Sequence, residues 1–234
     1  MADIRVLPDP DLLAAHTADL LAAELASSSD LALAGGGTPE ATYSALLRRA
    51  VDWDRIDLWL GDERWVPPDH ADSNLAMVRR GLAERAHRVL PTPWATGIGP
   101  QAAAAVYEQL LRARLGSPDA LTPGIVLLGL GDDGHTAGLF PGTSALGETE
   151  RDYAATFVPQ KGAWRLTLTL PALHRAKLLV FLVAGLAKAD ALAAVHQPGS
   201  TLPAALAADG ARRVVWLVDE DAASSLAMGE VVRP

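Results

Sequence analysis

The segment from Ile125 to Pro141 carries the most reactive combination of residue types in this chain. It begins as an apolar run long enough for one buried strand and continues with glycines, Asp132, Asp133 and His135. Histidine has the ordinary pKa nearest neutrality, and a nearby carboxylate can orient the imidazole and favour its charged form. Side chains two residues apart share a face in extended backbone, so this pattern favours an acid–base pair. A turn histidine bonded to the backbone is the simpler alternative.

The glycines of the same segment also suggest a dinucleotide site. Gly129, Gly131 and Gly134 match the spacing G-x-G-x-x-G. The match lies past the middle of the chain, and two acids occupy positions where a pyrophosphate needs bare N–H groups. A proline soon after the last glycine leaves little room for the required helix. We therefore interpret the segment as a catalytic turn rather than a dinucleotide site.

A second glycine segment follows the apolar run Leu31–Ala34. Residues 35–37 are glycines, and Thr38 and Pro39 follow them. We predict Thr38 as the N-cap of a helix and Pro39 at its first position, where the missing N–H costs nothing. Free N–H groups would then converge just past a strand and form an anion site of phosphate size. No Gly-Lys-Ser/Thr follows, so this is not a P-loop. A plain turn with a capped helix explains the segment equally well.

A third polar segment follows the apolar run Ile56–Leu60. Asp62, Glu63 and Arg64 come directly after this predicted strand, and they would point into the carboxyl edge of an α/β sheet. Arg64 can hold a phosphate or carboxylate in bidentate fashion, and Asp62 can accept hydrogen bonds from sugar hydroxyls. An exposed surface loop with a weak Glu–Arg pair is the alternative.

Metal and thiol chemistry find little support in the sequence. A metal site built from Asp62, Glu63, His70 and Asp72 is conceivable, but these residues lack a tight ligand spacing. The chain has no cysteine, which excludes disulfides, thiolate zinc sites and thiol nucleophiles and fits a reducing cytoplasm.

The elements that position these segments follow from the apolar patterning. Five short runs without alternation predict strands buried on both faces of a parallel sheet. These runs are Leu31–Ala34, Ile56–Leu60, Ile125–Leu130, Leu178–Val183 and Val214–Val218. Stretches with helical spacing separate them, including Leu13, Leu20, Leu21 and Leu25, and then Val106, Leu110, Leu111 and Leu115. The alternation predicts a Rossmann-like α/β fold, an open and mostly parallel sheet flanked by helices.

One later segment departs from this pattern. Arg165–Leu170 alternates strictly and predicts a half-exposed strand at the sheet edge or in a hairpin.

No linker-like run or repeat interrupts the chain, so we predict a single domain over 1–234. Arg165 and Lys188 are later cations that could supply positive charge to the carboxyl edge, although each is individually typical of a solvated surface.

Composition narrows the possible partners. The formal net charge of −8 argues against a nucleic-acid partner, and any anionic substrate must be held by a few local cations. No run approaches the roughly 18 apolar residues of a membrane helix. The N-terminal residues do not resemble a signal peptide. These features predict a cytoplasmic protein with a small-molecule partner.

Taken together, these segments resemble the 6-phosphogluconolactonase family, within a wider group that includes glucosamine-6-phosphate deaminases. The matching stretches are 35–39, 61–67 with 72–74, 129–142 and 165–169, with Gly185 and Lys188. The resemblance implies a Rossmann-like sheet, no cofactor, and hydrolysis of 6-phospho-D-glucono-1,5-lactone in the oxidative branch of the pentose phosphate pathway. The deaminase branch carries a glutamate where Phe140 stands here, and its absence favours the lactonase. The family usually has serine at Gly138, a difference we expect to tune activity rather than abolish it.

The resemblance also implies residue roles. His135 would activate water, with Asp133 beside it and Asp62 contacting the sugar. The expected contacts to the phosphate or its surroundings are Gly36, Gly37, Thr38, Arg64, Asn74, Arg165 and Lys188, with no metal. The protein would be a monomer or small homo-oligomer. A glucosamine-6-phosphate deaminase and a non-catalytic sugar-phosphate-binding protein are the alternatives, although the latter would normally carry a DNA-binding segment.

Overall fold

The computed structural model describes residues 3–94, 97–116 and 118–226, so the ends of the predicted 1–234 domain lie outside the described residues. The strands are β1 Asp3–Leu7, β2 Asp30–Leu33, β3 Asp57–Leu60, β4 Asp62–Arg64, β5 Val89–Leu90, β6 Ile125–Leu128, β7 Tyr153–Val158, β8 Ala163–Leu168, β9 Leu178–Val183 and β10 Val214–Asp219. The helices are α1 Pro10–Leu25, α2 Gly37–Leu46, α3 Asn74–Leu82, α4 Pro100–Arg114, α5 Leu170–Arg175, α6 Ala189–His196 and α7 Pro203–Asp209. Short 3-10 helices include Ala83–Arg88, Ser144–Gly147 and Leu186–Lys188.

Seven parallel strands form the central sheet in the order β1-β10-β9-β6-β2-β3-β5. β6 returns to the middle of the sheet and pairs with β2, with Leu31 opposite Ile125. One apolar core packs α1, α2 and α3 against one face, and a second packs α4 to α7 against the other. The chain therefore leaves β2 towards one face and β6 towards the other. Such a switch point opens a crevice at the carboxyl edge of an open α/β sheet.

A small antiparallel sheet extends this edge in the order β4-β8-β7. Gly61 joins the two sheets, because its N–H donates to the Leu33 carbonyl at 3.0 Å and its carbonyl accepts from Leu168 N–H at 2.9 Å. The predicted strand at Arg165–Leu170 is β8, which forms a hairpin with β7. It lies in the middle of the small sheet, so of the two predicted settings the structure shows the hairpin and not the sheet edge.

The predicted parallel α/β architecture is confirmed, and the five apolar runs coincide with β2, β3, β6, β9 and β10 within two residues. The apolar residues with helical spacing in α4 do not all face the core. Val106 is 44% exposed and Leu110 is 43% exposed. Ala103 and Tyr107 face the core instead, because small alanines let the helix approach the sheet closely and the large phenol ring fills the remaining space. No helix in the described ranges is long and apolar enough to cross a membrane.

Buried tyrosine hydroxyls satisfy backbone groups where β2 and β3 end. Tyr43 Oη accepts from the Ala34 N–H at 2.8 Å and donates to the Ala34 carbonyl at 2.9 Å. Tyr107 Oη accepts from Leu60 N–H at 3.0 Å and donates to the Leu90 carbonyl at 2.8 Å. Burial raises the pKa of both phenols, so both remain protonated donors. These bonds hold the strand ends that lead into the glycine and acidic segments.

Tyr107→Phe tests this function of the hydroxyl. The change leaves the Leu60 N–H and the Leu90 carbonyl buried without a partner, so we expect the free energy of unfolding to fall by about 1–3 kcal/mol. Urea unfolding at constant m-value measures the loss.

Tyr153→Phe is the matched control, because within the described ranges Tyr153 Oη forms a single hydrogen bond, which it donates to the Leu60 carbonyl at 3.1 Å. We expect a smaller loss of about 0.5–1.5 kcal/mol. An equal or larger loss in this control would contradict the importance given to the Tyr107 hydroxyl.

Candidate active site

The four predicted site segments follow neighbouring strands and meet at one cleft of about 290 Å³. Eight of the ten predicted site residues line this cleft: Gly36, Gly37, Thr38, Asp62, Arg64, Asn74, His135 and Lys188. The other two lie beside lining residues, Asp133 against His135 and Arg165 opposite Arg64. The structure thus brings together residues as far apart in sequence as Gly36 and Lys188, while their chemical roles stay predictions.

The glycine segment begins a helix earlier than predicted. Gly36 is the N-cap of α2 and has φ 120°, a value that favours glycine. Thr38 therefore lies inside the first turn, and the predicted Thr38 N-cap was wrong because Gly36 turns the chain into the helix two residues sooner. Among the described residues, the N–H groups of Gly37 and Thr38 find no acceptor, and both residues line the cleft. A helix start with free N–H groups favours a bound anion.

His135 stands on a tight turn after β6. The Gly131 N–H donates to the His135 carbonyl at 2.8 Å, and the Gly134 N–H donates to the Gly131 carbonyl at 3.0 Å. Asp133 Oδ1 lies 2.5 Å from His135 Nδ1 and also accepts from the His135 N–H at 3.1 Å. The predicted pairing of Asp133 with His135 is therefore present, but a turn produces it rather than extended backbone.

The imidazole of His135 is held on two sides. Phe140 stacks against it with ring centroids 3.9 Å apart, and Asp133 holds Nδ1. A carboxylate accepts hydrogen bonds, so Nδ1 carries the proton and Nε2 keeps its lone pair. Burial lowers the pKa of His135 and outweighs the opposing effect of Asp133. Asp133 does favour the charged imidazole, as expected, but burial in apolar surroundings disfavours the cation more strongly.

Asp133 itself experiences opposing effects. Burial acts to raise its pKa, but the hydrogen bonds from His135 outweigh burial and leave the pKa below its ordinary value. The carboxylate is therefore ionised at neutral pH and remains an acceptor for the imidazole N–H.

Asp62 and Arg64 share one face of β4, since alternate residues of a strand point the same way. Asp62 is 8% exposed, lines the cleft and has no side-chain hydrogen bond among the described residues. Arg64 Nη1 donates to the Asp72 carbonyl at 2.7 Å, while its buried Nε has no partner within the described ranges. Each side chain keeps hydrogen-bonding capacity for a ligand.

Arg165 lies directly opposite Arg64 in the antiparallel ladder. Its guanidinium forms no hydrogen bond or ion pair within 4 Å among the described residues. Burial lowers the pKa of Arg165, and the charge of Arg64 acts in the same direction, although a guanidinium remains protonated. Like charges directly opposite each other are destabilising. An anion bound next to Arg64 and Arg165 would therefore reduce their repulsion.

Glu63 has a role that sequence analysis missed. Its buried carboxylate accepts from the backbone N–H groups of Arg64, Asn74 and Leu75 at 2.7, 2.7 and 2.9 Å and from the Ser73 hydroxyl at 3.0 Å. It thereby covers the start of α3, where negative charge is favoured. Burial raises the pKa of Glu63 in spite of these bonds. An acid ten residues before an N-cap serine gives no local pattern from which this contact could be predicted.

Asn74 is the residue that Glu63 places in the cleft. Asn74 Nδ2 donates to the Asp62 carbonyl at 2.9 Å, and its Oδ1 is buried without a partner among the described residues. A Cβ on Gly35 would lie 2.0 Å from this oxygen, so only glycine lets the loop pass so close. The acidic segment and the glycine segment are thus fitted against each other through Asn74.

Lys188 reaches the cleft from the turn after β9. Gly185, with φ 91°, begins this turn, and its N–H donates to the Asp219 carboxylate at 2.9 Å. Lys188 Nζ forms an ion pair with Asp132 on the histidine turn. The predicted cation is therefore at the site but is partnered by an acid of its own chain.

Two alternatives from the sequence find no support in the geometry. The described residues contain no group of three or more His, Cys, Asp or Glu side chains that could hold a metal ion. The glycine turn after β6 leads to the 3-10 helix Ser144–Gly147 and then to β7, without the helix that a dinucleotide site requires.

Gly138 packs against β8 more closely than expected. Its N–H donates to Thr167 Oγ1 at 2.9 Å, and an added Cβ would lie 2.7 Å from Thr167 Cβ. A serine in this backbone would require β8 to move. Gly138 thus belongs to the packing of the histidine turn on the small sheet.

Comparison with known proteins agrees with this architecture. The family model of glucosamine-6-phosphate isomerases/6-phosphogluconolactonase matches residues 8–216. A 6-phosphogluconolactonase from Nostoc sp. is 38% identical over 209 residues, covering 84% of this chain and 86% of that protein. One from Mycobacterium tuberculosis is 34% identical over 245 residues, covering 96% and 98%. The solved 6-phosphogluconolactonase of Trypanosoma brucei is 29% identical with a TM-score of 0.82, covering 97% of this chain and 99% of that one.

The fold and these likenesses define an enzyme of the Rossmann-like α/β class. The chain belongs to the glucosamine-6-phosphate isomerase/6-phosphogluconolactonase family, as its ordered motifs predicted.

Glu63→Gln tests whether the buried carboxylate holds the site together. The amide N–H₂ would face donors that now point at an oxygen, so we expect the free energy of unfolding to fall by about 1–3 kcal/mol. Chemical denaturation at neutral pH measures this loss.

Glu40→Gln makes the same chemical change at a partly exposed ion pair with Arg80 and should cost less than about 1 kcal/mol. Equal stability losses in the two variants would show that Glu63 does no more than an exposed acid.

Proposed function

We propose that this chain is a lactonase that hydrolyses 6-phospho-D-glucono-1,5-lactone to 6-phospho-D-gluconate, in the oxidative branch of the pentose phosphate pathway. One observation carries the proposal. An oriented, neutral imidazole and a helix start with free N–H groups line the same cleft. The first suits activation of water and the second suits a phosphate. The names of the curated relatives support the same activity.

The phosphate is anchored by the N–H groups of Gly36, Gly37 and Thr38 together with nearby cations. Lys188 lines the same cleft, and Arg165 has no counter-ion among the described residues. Anchoring the phosphate fixes the lactone ring relative to the imidazole, which supplies much of the orientation advantage of catalysis. Asp62, with its free carboxylate, accepts hydrogen bonds from the sugar hydroxyls.

His135 Nε2 removes a proton from the water that attacks C1 of the lactone. The new C1–O bond produces a tetrahedral oxyanion, and the C1–ring oxygen bond then breaks. The proton held on Nε2 passes to the departing ring oxygen, which becomes a hydroxyl. Asp133 keeps the imidazole in the required tautomer throughout. A lactone is an activated ester, so this route requires neither a covalent intermediate nor a cofactor.

His135→Ala should lower kcat by at least about a hundredfold with KM broadly intact, because only the general base is removed. A coupled assay of 6-phosphogluconolactone hydrolysis, corrected for the spontaneous reaction and run with and without a chelator, measures both constants.

His87→Ala is the matched control, since His87 lies on an exposed 3-10 helix and its imidazole hydrogen-bonds, among the described residues, to the Glu84 carbonyl alone. Near-normal turnover of the His135 variant would remove His135 from the mechanism. Release of ammonia from glucosamine 6-phosphate at a comparable rate would favour the deaminase alternative.

The pH dependence follows from the pKa of His135. The active form is neutral, and burial lowers the pKa, so kcat/KM should fall with decreasing pH around a midpoint below about 6.5. Asp133 raises this pKa, and Asp133→Asn should therefore move the midpoint further down while also lowering kcat.

Rates of the folded variant between roughly pH 4.5 and 7 locate both midpoints. An upward shift in Asp133→Asn, or no shift, would show that Asp133 does not act on the imidazole.

A further inference from the structure

Two consecutive acids on the histidine turn have different partners. Asp133 binds the imidazole, whereas Asp132 points to the neighbouring loop and pairs with Lys188. The Asp132 side chain is 75% exposed and does not line the cleft, while Lys188 is 29% exposed and does. Within the described residues Asp132 has no other partner. The pair therefore joins a cleft cation to an acid at the cleft rim.

This ion pair contributes little to the fold. Exposed pairs are weak because water solvates both charges and salt screens them. The turn that carries Asp132 is held by backbone bonds of Gly131 and Gly134, and the Lys188 turn is held by Gly185 and Asp219. Both turns keep their geometry without the pair, so its main consequence is electrostatic.

Resting on the proposed function, we propose that Asp132 is a tethered counter-ion that competes with the substrate phosphate for Lys188. In the free protein it neutralises the ammonium. When a phosphorylated sugar enters, the phosphate must share or displace this carboxylate, which repels it. Asp132 thereby weakens the binding of anionic ligands, including the phosphorylated product, and sets the affinity of the site for phosphate esters.

The proposal separates Asp132 from the other acids of the cleft. Asp62 lines the cleft and Asp133 holds the base, so changing either alters chemistry or sugar contacts. Within the described residues, the Asp132 carboxylate forms no hydrogen bond or ion pair with the imidazole or with any cleft residue except Lys188. Removing its charge should change the affinity for phosphate without altering the contacts at the lactone carbonyl.

Asp132→Asn tests the proposal in the full-length protein. We expect KM for 6-phosphogluconolactone to fall about two- to fivefold at low ionic strength, the size expected for an exposed ion pair. The effect should shrink at high salt. KM for the unphosphorylated gluconolactone should not change. An unchanged or raised KM for the phosphorylated lactone, or an equal change for both lactones, would overturn the proposal.

Two controls make the result specific. Asp209→Asn removes the same charge at the exposed end of α7, and it should leave both KM values unchanged. In a Lys188→Met background, Asp132→Asn should no longer lower KM, because its target is gone. A fall in KM that persists without Lys188 would show that Asp132 does not act through Lys188, which would contradict the proposal.

Calorimetric titration with inorganic phosphate separates this inference from the proposed function. Tighter phosphate binding by Asp132→Asn would support the counter-ion even if the protein hydrolysed no lactone. Normal lactone hydrolysis with unchanged phosphate affinity in the variant would contradict the counter-ion role of Asp132. It would leave the proposed lactonase activity unaffected.

Discussion

Parallel pairing of β2 with β6 is the constraint on which the site depends. Leu31 lies opposite Ile125, and both glycine segments begin the same number of residues beyond this pair. Because parallel strands end at the same edge, the start of α2 and the histidine turn emerge side by side. β3 and β9 flank this pair and bring the acidic segment and Lys188 to the same edge. A one-residue slip would point the apolar side chains of either strand to the wrong face, so core packing holds the register.

Buried polar groups then hold the loops in place. The hydroxyls of Tyr43 and Tyr107 satisfy backbone groups at the ends of β2 and the neighbouring strand β3, and Glu63 satisfies the start of α3. Each of these groups would be costly to bury without its partners, so each contact restricts the loop to one conformation. A catalytic arrangement benefits, since a misplaced imidazole or anchor loses much of the orientation advantage.

The sequence predicted those features that depend on interactions between residues close together in the chain. The apolar runs predicted the central strands, and the glycine, acidic and histidine segments were predicted to lie at their carboxyl ends. Helical spacing located α4 but did not show which of its residues face the sheet. Val106 and Leu110 are exposed, whereas Ala103 and Tyr107 are buried. The predicted helix cap at Thr38 was wrong, since side-chain preference says nothing of the φ that Gly36 adopts.

By itself, the sequence determined the α/β class, the family and the residue types available for chemistry, because strand patterning and ordered motifs are properties of neighbouring residues. Tertiary structure alone decided which of these residues meet. It directed Glu63 to the start of α3, paired Lys188 with Asp132 and buried the imidazole enough to lower its pKa. Such outcomes depend on distances and desolvation across the sheet edge, and these arise only when strands far apart in sequence pair.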